Sequence, residues 1–136
     1  TPGGPEAFPM PEQTVKLMQN GATLREFVEN ALAPEADAEI VERILRHREA
    51  TAQPLEAWTA QAAAGAMFDA LDRVAGIAAP TLILHGTADA VVDSRNTALL
   101  ALRIPDARVE LFPGGGHLFF WEQPERFVEV VTEFLA

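Results

Sequence analysis

The sequence predicts an α/β fold made of two unlike halves, and three observations point there. Residues 1–75 carry apolar positions at helical spacing and nothing that reads as a strand. Residues 76–136 change period and run strand, helix, strand, helix. An acid, Asp89, and a histidine, His117, stand just past the ends of those two strands.

Pro11 opens a helix that runs to about Asn20, where Gly21 ends it. Thr23-Leu-Arg-Glu26 matches a capping box ahead of Phe27, Val28 and Leu32. Asp37 caps the next helix, whose Ile40, Val41, Ile44 and Leu45 form one apolar stripe. Arg46, His47 and Arg48 fall in its last turns, where cations suit the helix dipole. Pro54 opens an alanine-rich helix carrying Leu55, Trp58, Met67, Phe68 and Leu71.

Thr81-Leu-Ile-Leu84, between Pro80 and Gly86, has the pattern of a strand buried on both faces. Ser94 starts a helix to about Leu102, with Ala98, Leu99 and Leu102 on one side. Arg108–Phe112 is a second strand, stopped by Pro113. Pro124 suits the first turn of a last helix, with Phe127, Val131 and Phe134 along its inner face. Strand, helix, strand implies a parallel pair joined by a crossover. Two parallel strands do not make a stable sheet alone, so exposed edges and an uncovered face are expected.

A chain of 136 residues with 49% apolar residues suits a packed core. The net charge of −10 argues against nucleic-acid binding, which needs Lys and Arg against phosphate. No apolar stretch is long enough for a membrane span. The absence of cysteine removes disulfides and thiolate chemistry and fits a cytoplasmic protein. No metal-ligand spacing of histidines occurs, so no metal is expected. The chain starts at Thr1 rather than Met, so it is expected to begin partway through its gene product.

Chemistry concentrates in Pro80-Thr-Leu-Ile-Leu-His-Gly-Thr-Ala-Asp89 and Gly114-Gly-Gly-His117. Sites in parallel sheets form beyond the carboxyl ends of the strands. Paired strands lie about 4.8 Å apart, so Asp89 and His117 can meet there. A carboxylate on one imidazole nitrogen sets the tautomer and frees the other to take a proton. The three glycines permit positive φ and close backbone approach before His117. The only serine, Ser94, lies in Asp-Ser-Arg-Asn and reads as a helix-start residue, not a nucleophile. Asp93 reads as a helix-start acid, His85 as a packed histidine, His47 as a solvated helix end. Trp58, Met67 and Phe68 are candidates to line a substrate pocket, although residues at helical spacing are more often core. Leu118 and Phe119, directly after His117, are candidate site walls.

These segments resemble the C-terminal part of the α/β-hydrolase fold: Pro80 to Gly86, Asp89-Ala-Val-Val92, Gly115-Gly-His117 and the following Pro124-Glu-Arg-Phe127. In that family the triad order is serine, acid, histidine. The resemblance implies that Asp89 is the acid and His117 the catalytic histidine. It also implies that residues 1–75 correspond to the helical cap or lid and residues 76–136 to the C-terminal part of the core. The implied activity is hydrolysis of an ester, lactone or similar carbonyl substrate, without a cofactor. The serine would come from an N-terminal portion, and the chain alone is expected to be inactive. The expected partners are a small-molecule substrate and that N-terminal half, or another copy of the chain. Two further readings share the resemblance. One is cofactor-free haloperoxidase-like or carbon–carbon hydrolase activity; the other is a non-catalytic binding or scaffold protein.

Overall fold

The computed structural model describes residues 1–136, apart from the side chain of Leu55. Four helices come first: α1 (Glu12–Gln19), α2 (Leu24–Ala31), α3 (Ala38–Ala50) and α4 (Leu55–Met67). A 3₁₀ turn, Val74–Gly76, leads into β1 (Thr81–Gly86), α5 (Arg95–Arg103) and β2 (Ala107–Phe112). A short α6 (Phe119–Glu122) and α7 (Pro124–Leu135) follow.

Local chemistry explains most boundaries. Gly21 ends α1 with a φ of +66°, which a Cβ would disfavour. Thr23 and Glu26 form the reciprocal capping box of α2. The Asp37 carboxylate accepts from the Glu39 N–H at 2.8 Å and starts α3. Ser94 is the residue before α5, but its hydroxyl makes no capping bond; Asp93 accepts from the Arg95 N–H at 2.9 Å instead.

β1 and β2 pair in parallel, in register from Thr81 with Ala107 to Gly86 with Phe112. Among the described residues the sheet has these two strands only. The expected burial on both faces of β1 is therefore not met, and Thr81 to Leu84 are half-buried. Val109 and Leu111 of β2, two residues apart and so on the same face of the strand, are exposed.

The helical half has its own core, Val28, Leu32, Val41 and Ile44, with Leu118 and Trp121 packed against it from the other half. The second cluster centres on Phe112, which is fully buried and stacks on Phe119 with centroids 4.4 Å apart. Burying such a ring contributes about 1.5–3 kcal/mol. Phe127 of α7 joins it, and Val130 is buried on the same helix.

Two helices do not turn their large apolar residues inward. Every described side chain of α4 is exposed, including Trp58 at 54% and Met67 at 86%; Phe68, just beyond, is 50% exposed. The apolar residues of α4 are spread around the helix, so no single face turns inward. In α5 the buried residues are Asn96 and Thr97, while Leu102 faces solvent. The reason is polar: Asn96 pairs with the backbone of Phe8, donating to its carbonyl at 2.9 Å and accepting from its N–H at 3.0 Å.

Candidate active site

β1 delivers its loop at Gly86, and β2 delivers the next at Phe112, side by side in the sheet. The two loops then press together. A Cβ on Gly86 would run into the carbonyls of Gly115 and Gly116, and a Cβ on Gly116 would meet the backbone of Leu32. Gly114 turns the chain with a φ of +70°. Glycine is thus needed for the turn at Gly114 and for close approach at Gly86 and Gly116.

This packing brings Asp89 to His117. His117 Nδ1 stands 2.9 Å from Asp89 Oδ2. The other oxygen, Oδ1, accepts from the N–H groups of Val91 at 2.7 Å and Val92 at 2.9 Å. Burial, the largest influence on Asp89, works to raise its pKa. The hydrogen bonds from His117, Val92 and Val91 outweigh it and hold the carboxyl below its ordinary value. Asp89 is therefore a carboxylate at neutral pH. With Nδ1 committed to Asp89, His117 has Nε2 left for proton exchange.

His85, at the end of β1, is buried as expected of a packed histidine. Its Nε2 lies 3.9 Å from Asp89 Oδ2, too far for a hydrogen bond, and has no other partner. Burial pushes its pKa down, against the attraction of Asp89. Asp93 has a different partner. It pairs with Arg95 at 2.6 Å, and that hydrogen bond is the main reason its pKa falls to about 2.

A cavity of about 380 Å³ opens beside the pair, lined by His85, Asp89, His117, Leu118, Phe119 and Phe120 among others. Leu118 and Phe119 thus wall the cavity that His117 faces. Trp58, Met67 and Phe68 do not reach it. Phe120 also lines it, and Trp121 packs away from it, under Arg43 of α3. Ser94 is exposed and outside the cavity. Among the described residues no cluster of His, Asp and Glu has the arrangement of a metal site. No helix is long and apolar enough to cross a membrane.

Three residues that the sequence did not single out shape the surroundings. Glu122 accepts from the N–H groups of Gly116 and Ala33, both at 2.7 Å. Thr14 and Asn30 are buried and hydrogen-bonded to each other. The one sequence cue for Glu122 was its place between His117 and Pro124; Thr14 and Asn30 offered none.

Residues 22–124 match the hydrolase family described as serine aminopeptidase, S33. A 2-hydroxy-6-oxononadienedioate/2-hydroxy-6-oxononatrienedioate hydrolase of Paraburkholderia xenovorans is 31% identical, over 98% of this chain and 50% of its own length. Among solved structures, Est816, an N-acyl homoserine lactone degrading enzyme, is 29% identical with a TM-score of 0.73, over 92% of this chain and 52% of that one. A thermophilic esterase from Thermogutta terrifontis is 27% identical with a TM-score of 0.72, over 98% and 51%. The chain spans about half the length, or less, of the curated relatives it matches.

Proposed function

The chain belongs to the serine aminopeptidase S33 family of α/β-hydrolases, and from that premise we propose that it supplies the acid and the base of a serine hydrolase. The 2.9 Å contact between His117 Nδ1 and Asp89 Oδ2, beside a cavity, carries this reading. His117 Nε2 takes the proton of an attacking serine hydroxyl and returns it to the leaving group. Asp89 orients the imidazole and stabilises its positive charge in the transition state. Residues 1–75 act as the cap over this site. The serine and the oxyanion donors come from the part of the fold that this chain does not span.

The substrate class is an ester, lactone or related carbonyl compound, supported by likeness to an esterase and a lactone-degrading enzyme. The lining by Leu118, Phe119 and Phe120 suits an apolar acyl or alkyl group. A second reading, hydrolysis of a carbon–carbon bond by the same pair, is favoured by the relative matched along 98% of the chain.

The experiment is hydrolysis of p-nitrophenyl esters, a homoserine lactone and a 2-hydroxy-6-oxo-dienoate by the protein carrying this chain. Turnover of the esters or the lactone that His117→Ala abolishes supports the first reading. Turnover of the dienoate alone moves the assignment to the second. No turnover of any, with tight binding of one, leaves a binding protein.

A further inference from the structure

We propose that the last turn of α2 and the loop after it, residues 30–33, hold both loops of the Asp89–His117 pair in place, with Thr14, Asn30 and Glu122 as positioning residues. The functional part of this inference rests on the reading of the pair as acid and base.

Asp89 lies three residues beyond the end of β1, and His117 five beyond the end of β2. Strand pairing alone does not fix side chains that far along a loop. The two loops bond directly to each other, the Ala88 N–H donating to the Gly115 carbonyl at 2.9 Å, and residues 30–33 add a support from outside both.

The acid loop is held by a relay. Thr14 Oγ donates to the Ala90 carbonyl at 2.6 Å. Its single proton is then committed, so it must accept from its other neighbour, Asn30 Nδ2, at 2.7 Å. Ala90 directly follows Asp89. Both relay side chains are buried, Thr14 at 4% exposure and Asn30 at 8%, so water does not substitute for them.

The base loop is held at the same stretch of α2. The Leu118 N–H donates to the Ala31 carbonyl at 2.9 Å. Glu122 bridges the Gly116 N–H and the Ala33 N–H through its two oxygens. Bonds from backbone N–H to a carboxylate are among the strong ones. The Leu32 backbone closes against Gly116 with no room for a side chain. Residues on both sides of Asp89–His117 thus refer to one short stretch. A movement of α2 displaces the two loops together or pulls the pair apart.

Proton NMR of the full chain tests this through the His117 Nδ1 proton. A proton shared with a carboxylate resonates far downfield, and its loss in His117→Ala identifies it. Thr14→Val keeps the shape and removes the hydroxyl; Thr14→Ser keeps the hydroxyl. Glu122→Gln replaces one acceptor oxygen with a donor. Asn30→Asp turns the relay donor into an acceptor and draws the Thr14 proton away from Ala90.

In variants that circular dichroism shows to be folded, the resonance is expected to move upfield or broaden beyond detection for Thr14→Val, Asn30→Asp and Glu122→Gln. Thr14→Ser is expected to restore it. In the active protein the same three variants lower kcat, by up to about 10²-fold if the pair separates by 1 Å, with little change in KM. An unchanged resonance in the folded variants overturns the proposal, as does a wild-type chain that lacks it. So does a Thr14→Ser variant as impaired as Thr14→Val. A wild-type resonance that responds as expected, in a protein with no hydrolytic activity, overturns the catalytic reading and leaves the positioning intact.

Discussion

Asp89 Oδ2 faces His117 Nδ1 at 2.9 Å, while Asp89 Oδ1 is occupied by the N–H groups of Val91 and Val92. The two oxygens therefore have separate tasks: one fixes the carboxylate, the other fixes the imidazole. In the active protein, His117→Ala should lower kcat by about 10⁶. Asp89→Asn should cost on the order of 10⁴, because an amide can donate to Nδ1 and select the wrong tautomer. Steady-state kinetics on a p-nitrophenyl ester measure both. Near wild-type kcat in Asp89→Asn would show that another acid serves His117.

Asp93 and Ser94 provide the contrast. Asp93 is engaged with Arg95, and Ser94 is exposed at the start of α5. Asp93→Asn and Ser94→Ala should leave kcat unchanged, and a fluorophosphonate probe should not label Ser94. Stoichiometric labelling there would relocate the nucleophile into this chain.

Gly86 and Gly65 should respond oppositely to alanine. At Gly86 the added Cβ meets the backbone carbonyls of Gly115 and Gly116. Gly86→Ala should destabilise by about 1–3 kcal/mol and disturb the His117 loop. Gly65 lies within the exposed α4 with nothing near its Cβ position. Gly65→Ala should stabilise by roughly 0.5–1 kcal/mol through helix propensity. Denaturant melts of the two variants check the signs, and a neutral Gly86→Ala would contradict the close approach.

His85 should make stability fall on mild acidification. Burial lowers its pKa from the ordinary 6.5. As pH drops below about 6.5, the unfolded chain takes up a proton that the folded chain resists, so unfolding is favoured. Asp89 acts in a lower window. Its pKa is held below the ordinary 3.8, so its contribution is present above that value and is lost as pH falls through the folded one. His85→Leu should flatten the dependence of Tm between about pH 7 and 5 and leave the steeper acid loss in place. An unchanged slope in that window would mean that His85 is accessible to a proton in the folded chain.

What the sequence determined by itself was local. Caps, turns and period depend on a few adjacent residues, so the Thr23 box, the Asp37 cap, Pro124 and both strands could be read directly. The meeting of Asp89 and His117 was also legible, because parallel strands place successive loops at one end of a sheet. The inward stripe of α3 was legible as well, whereas tertiary structure alone decided the inner face of α5. The inner face of α5 is polar because the Phe8 backbone lies against Asn96, eighty-eight positions away in the chain. The spread of apolar residues around α4, by contrast, is already written in its sequence. The links from Thr14 and Asn30 to Ala90, and from Glu122 to Gly116 and Ala33, were as hidden as the inner face of α5. A hydrogen bond between distant residues leaves no period or spacing in a sequence; it exists only once packing has brought donor and acceptor together.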